Sequence, residues 1–135
     1  MISPYVFPGV LVKDLPKDLT IRRGGAHVDV RSINTHRVIV DAIEAVTGLP
    51  MQEYSGGKRW PDVVNARRLY VYQVKTRLNW SLELIGEKMG GRDHTTMTYS
   101  IKKYHDLFKT DEVFRENAIR IDSIVEKKLV ALQYA

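Results

Sequence analysis

The apolar positions change rhythm once along the chain. Up to residue 31, Pro4, Pro8 and Pro16 punctuate short β-prone runs such as Val10-Leu11-Val12, and Gly24-Gly25 closes the stretch. Proline and paired glycine discourage a long helix, so residues 1–31 are expected to form a non-helical arm or a small packed appendage. From Ser32 the apolar residues fall at near-helical spacing, Ile33, Val40, Ile43 and Val46 among them, until Gly48-Leu49-Pro50 stops the run. A short helical turn over Pro50–Tyr54 leads into the loop Ser55-Gly56-Gly57-Lys58-Arg59-Trp60. Pro61 suits the first turn of a new helix, where its missing N–H is not needed. That helix runs to about Leu78, with Val63, Ala66, Tyr70 and Val74 on one stripe and Asn65, Arg68, Tyr72 and Lys75 on another.

Three more helices follow. Ser81 can cap the first, in which Glu83 suits the first turn and Leu82, Ile85 and Met89 supply apolar contacts before Gly90-Gly91 ends it. Asp93 can cap the second, which runs through Phe108 with Met97, Ile101, Tyr104 and Phe108 inward. Thr110 is expected to cap the last, to about Leu132, with Phe114, Ala118, Ile121, Val125 and Leu132 inward; this stripe reads as core packing rather than a dimerising face. The expected architecture is all-α over residues 32–135, a helix-turn-helix bundle preceded by the arm.

Two helices joined by a glycine turn form a helix-turn-helix, whose second helix can enter the major groove of DNA with its N-terminal residues against base edges. Here the turn delivers Arg92, Asp93, His94, Thr95 and Thr96 to the front of the second helix. Asp accepts from cytosine N4, His and Thr donate or accept, and a Thr methyl packs on a thymine methyl. The free N–H groups of a helix start also favour phosphate. Many bundles share this outline without binding DNA, so the distribution of charge has to decide.

The chain has 135 residues, 44% hydrophobic and 27% charged, with a net charge of +5. Residues 1–54 balance six basic against six acidic groups, whereas residues 55–80 carry Lys58, Arg59, Arg67, Arg68, Lys75 and Arg77 against Asp62 alone. The whole surplus therefore lies beside the reading helix, where phosphate neutralisation supplies most of the affinity. Without that neighbour it would read as a solvated helix face. There is no cysteine, so disulfides and thiolate metal sites are excluded, and a reducing cytoplasm is the expected setting. No apolar run reaches the roughly 18 residues that span a bilayer. His27, His36, His94 and His105 lack metal-ligand spacing, and Asp93-His94 has no nucleophile or second carboxylate to join it, so neither a metal, a cofactor nor catalysis is expected. Trp80 is read as a packing residue; Trp60 either anchors the basic loop or touches a sugar edge.

The strings Asn65-Ala66-Arg67-Arg68-Leu69-Tyr70, Ser81-Leu82-Glu83-Leu84-Ile85-Gly86 and Gly90-Gly91-Arg92-Asp93-His94-Thr95-Thr96 resemble the signature of the C-terminal DNA-binding domain of the DnaA family, a Trp-repressor-like helix-turn-helix. The resemblance covers about residues 32–130. It implies base contacts from Asp93, His94 and Thr95 in the major groove of a short A·T-rich box. It also implies Arg59 in the adjacent minor groove, which in A·T-rich DNA is narrow and attracts arginine. Arg67 and Thr96 are implied on phosphate. From charge and position, Lys58, Arg68, Lys75 and Arg92 join them. Three departures bear on which box is preferred: Trp60 in a loop less basic than the family's, Glu83 where proline is common, and Tyr99 in place of a common histidine.

An ATP-driven initiator also needs a G-x-x-x-x-G-K-[S/T] loop, and this chain has only Gly56-Gly57-Lys58 followed by Arg59. A stand-alone binder of double-stranded DNA, without nucleotide or membrane, in a bacterium or its phage and acting in replication control or transcription regulation, is the expectation. The alternative is an adaptor that docks on replication or phage proteins through residues 1–31.

Overall fold

The computed structural model describes residues 21–23, 26–28 and 30–133. Two short antiparallel strands, β1 (Ile21–Arg23) and β2 (Ala26–Val28), pair Ile21 with Val28 and Arg23 with Ala26. Six helices follow: α1 (Val30–Thr47), α2 (Met51–Tyr54), α3 (Pro61–Leu78), α4 (Leu82–Lys88), α5 (His94–Thr110) and α6 (Glu112–Gln133). Among the described residues the fold is the expected all-α bundle, preceded by the β1–β2 pair. Helix begins at Val30, two residues before the expected start at Ser32. Pro4, Pro8, Pro16, the Val10-Leu11-Val12 run and Gly24-Gly25 lie outside the described residues.

Helix α3 packs against each of the other five, and that placement explains its composition. Val63, Ala66, Tyr70 and Val74 are buried as the stripe predicts, but so are Leu69, Val71, Arg67 and Gln73. A central helix is covered on several sides, so a single stripe underestimates it. The buried polar groups have partners: the Gln73 amide donates to Asp122 Oδ1 (3.2 Å) and its oxygen accepts from Arg77 Nε (2.8 Å). Arg77 also pairs with Asp122 (2.8 Å) and Glu126 (3.1 Å) on α6. It belongs to the α3–α6 junction.

On α1 the core residues are Ile39, Ala42 and Ile43, whereas Ile33, expected with the apolar stripe, is 40% exposed. Gly48, at φ 78°, ends the helix and donates to the Glu44 carbonyl (2.8 Å). His36 joins α1 to the α3–α4 corner: its Nε2 meets the Tyr70 hydroxyl at 2.7 Å and its ring stacks on Trp80 at 5.2 Å. Burial, with Lys88 nearby, pushes the imidazole pKa down to about 4. Trp80 is thus the packing residue expected.

Tyr72 and Tyr104 stack at 3.8 Å where α3 meets α5, and Phe114 of α6 meets Tyr104 edge-on. Phe114, Ala118, Ile121 and Val125 are buried on α6 as expected, joined by Leu129. The cap of α6 differs from the expectation. α5 continues through Thr110, whose hydroxyl donates back to the Asp106 carbonyl, and Asp111 caps α6 by accepting from Phe114 N (3.1 Å). A carboxylate one residue nearer the helix outcompetes the threonine. No described helix is long and apolar enough to cross a membrane.

Candidate nucleic-acid interface

The helix-turn-helix is built by two caps and a close approach. Ser81 Oγ accepts from Leu84 N (3.1 Å) to start α4, and Asp93 Oδ1 accepts from Thr95 N (2.7 Å) to start α5. Between them Gly90 and Gly91 both sit at φ 77°, a region other residues rarely adopt. Gly86 lets the turn fold back onto α4. Its carbonyl accepts from Arg92 N (2.9 Å), and a Cβ on Gly86 would lie 2.1 Å from the Arg92 carbonyl oxygen.

The result is an exposed polar tip: Asp93, His94, Thr95 and Thr96 all face solvent at the start of α5, while Met97 behind them is buried. Hydrogen bonds from the Thr95 backbone and hydroxyl, with His94 beside it, hold the Asp93 carboxyl below its ordinary range. The carboxylate is therefore ionised. His94 Nδ1 lies 3.2 Å from it. One turn further on, Tyr99 is 54% exposed with the Lys103 ammonium 5.9 Å from its ring centre.

The basic loop between α2 and α3 lies against the turn that precedes this tip and is held by arginines. Arg67, only 7% exposed, donates from Nε to the Tyr54 carbonyl (2.8 Å) and from Nη2 to those of Gly56 (3.3 Å) and Lys58 (3.1 Å). Arg92 donates to the carbonyls of Ser55 (3.2 Å), Gly56 (2.7 Å) and Met89. Burial, and the positive charges of Arg92, Arg68 and Arg59, lower the Arg67 pKa. Three other guanidiniums thus bear on the one at Arg67.

The loop presents its outer side chains to solvent. Arg59 is exposed, and so is Lys58, which pairs with Glu53 (2.9 Å) and lies 5.3 Å over the Trp60 ring. Trp60, 64% exposed, packs on Lys58 rather than in the core. Arg68 is half-buried and donates to Asn65 Oδ1 (3.1 Å). Lys75 donates to the Trp80 carbonyl (3.0 Å) and to Asn79 Oδ1 (3.4 Å), closing the end of α3.

The tip residues and Arg59 thus stand exposed on segments that Arg92 joins. The inner cations are placed differently from a row of phosphate contacts: Arg67, Lys75 and Arg92 turn their donors onto backbone carbonyls. Nothing in the sequence marks those acceptors, because every residue carries a carbonyl. The paired Gly90-Gly91 was the one available signal of a tight approach.

The pattern of the family described as bacterial dnaA protein helix-turn-helix matches residues 36–103, about half of the chain. The chain is 36% identical over 93 residues to the chromosomal replication initiator protein DnaA of Thermodesulfovibrio yellowstonii, covering 69% of this chain and 20% of that protein. It is 29% identical over 101 residues to the protein of the same name from Thermomicrobium roseum, covering 75% and 22%, and 42% identical over 64 residues to that of Thermus thermophilus, covering 47% and 15%. The chain therefore spans only 15% to 22% of the length of these relatives.

Proposed function

The chain belongs to the bacterial DnaA helix-turn-helix family, and from that premise we propose that it binds double-stranded DNA sequence-specifically at DnaA-box-like sites, in replication control or transcription regulation and without ATPase or other catalytic activity. The observation that carries the reading is the exposed tip Asp93–Thr96 at a helix start, with exposed Arg59 on a loop bonded to the same turn. In this reading Asp93, His94 and Thr95 meet base edges in the major groove. Arg59 enters the adjacent minor groove. Lys58, Arg68 and Thr96 take phosphates, and Arg67, Lys75 and Arg92 add positive field while holding the backbone in place. A phosphate nearby would offset the positive field that Arg92, Arg68 and Arg59 place on Arg67. Residues 32–135 are the DNA-binding domain and residues 1–31 a separate arm.

Titration of labelled duplex carrying an A·T-rich DnaA-type box, against shuffled duplex at one salt concentration, tests the reading. Wild type should prefer the box by on the order of 10³. Thr95→Ala or His94→Ala should cost about 1–3 kcal/mol on the box and relax base preference. Equal losses on box and shuffled DNA would count against the assignment.

A further inference from the structure

Resting on that reading of Arg59 and the α5 tip, we propose that Arg92 is a positioning residue: it fixes the distance between the minor-groove reader and the major-groove reader before DNA is met. Arg92 precedes Asp93, the cap of α5, by one residue, so its backbone moves with the tip. Its guanidinium reaches across to the Ser55 and Gly56 carbonyls, three to four residues from Arg59, and back to the Met89 carbonyl at the end of α4. One side chain ties together the end of α4, the start of α5 and the loop that carries Arg59.

Two further observations make the tie specific. The Gly56 carbonyl accepts from Arg92 and Arg67 together, so the loop is clamped between the turn on one side and α3 on the other. A Cβ on Gly90 would lie 2.5 Å from the Ser55 carbonyl oxygen, so the turn touches the loop backbone directly. The clamped segment, residues 55–58, lies between α2 and α3 and has no strand partner among the described residues. Its carbonyls find donors in the two arginines instead. A planar guanidinium can serve three separate carbonyls at fixed angles, whereas an ammonium on a flexible stem does not hold that fork. The clamp lowers the ordering cost of binding because both readers are already in register.

The test uses the whole chain and the box duplex with two base replacements. 2,6-Diaminopurine for adenine under the loop adds an amino group to the minor groove; uracil for thymine under α5 removes a methyl from the major groove. Wild type should lose about tenfold in affinity to the first replacement and about threefold to the second. Arg92→Met should reduce the diaminopurine penalty to about twofold while keeping the uracil penalty. Arg92→Lys, which preserves charge and much of the bulk and so guards against a failure to fold, should do the same without changing the salt slope. Adding Arg92→Lys, which keeps the positive charge, to Arg59→Ala should change box affinity little, because the reader it positions is already gone. A full diaminopurine penalty in both Arg92 variants, a parallel loss of both penalties, or independent multiplication of the Arg59 and Arg92 effects would overturn the clamp. Absence of any box preference in wild type would instead overturn the DNA-binding reading itself, so the two failures are distinct.

Discussion

The bundle of α1, α3 and α6 and the reading end formed by the basic loop, α4 and the start of α5 share one apolar core, but the reading end carries a second set of bonds that the bundle lacks. In the bundle, Ile39, Ile43, Val74, Ile121 and Val125 are buried against one another, and stability comes from apolar area removed from water. In the reading end, guanidiniums bond carbonyls, two carboxyl or hydroxyl caps start helices, and glycines admit backbone to within contact. Apolar packing tolerates many sequences of similar volume. Carbonyl clamps and glycine contacts fix position, which a reader of DNA needs more than stability.

The comparison breaks most sharply with a cavity in the bundle. Ile121→Ala, at a fully buried site, should cost about 2–5 kcal/mol in urea unfolding. The molecules that remain folded should keep the box preference of wild type. A changed preference would mean that bundle packing and reading geometry are not separable. Gly86→Ala probes the other region. The new methyl would strike a backbone oxygen that cannot swing aside, so a cost near the upper end of the usual overpacking range, about 3 kcal/mol, is expected. Here box preference should fall with stability, since the displaced atom belongs to Arg92. A loss below about 0.5 kcal/mol would show that the turn does not lie against α4 as described.

The same division decides what could be read from the sequence. The stripes of α3, α5 and α6 were legible because burial imposes a period, and the caps Ser81 and Asp93 because their chemistry is local. The cap of α6 was misplaced by one residue because Thr110 and Asp111 are both good caps, and only the path of the chain chooses between them. Ile33 falls at helical spacing with Val40 and Ile43, yet α1 turns that position toward solvent. Arg67 was expected on phosphate from the family resemblance; its burial follows from the loop folding over α3, a tertiary event with no local signal. The family's reading-head string was legible in full, and the arrangement that supports it was not.

His36 joins the two regions and gives a smaller effect with a defined pH window. Its folded pKa of about 4 lies below the ordinary 6.5, so the native state holds the neutral ring. Above pH 6.5 both states are neutral and nothing changes. As pH falls from 6.5 toward 4 the unfolded chain binds a proton that the native state refuses, and stability declines until about pH 4. Allowing for a ring that is not fully buried, the loss should total about 2 kcal/mol. Urea unfolding at pH 7 and 4.5, wild type against His36→Phe, isolates it from the carboxylates common to both. An equal pH dependence in the two proteins would remove His36 from the account.

The smallest expected effect lies at the rim of the reading end, where Glu53 pairs with Lys58 in the open. Exposed ion pairs contribute little, so Glu53→Gln should change stability by less than about 0.5 kcal/mol. Its effect on DNA should be visible all the same. The substitution removes a carboxylate from beside phosphate and frees an ammonium that otherwise divides its attention between Glu53 and the Trp60 face. Affinity should rise about twofold at low salt, and the gain should fade as salt screens it. Because an ammonium on phosphate reads no base, box and shuffled duplex should gain alike. A gain confined to the box would instead place Lys58 against a base edge, and the line between positioning the loop and reading the sequence would have to be drawn one residue earlier than Arg59.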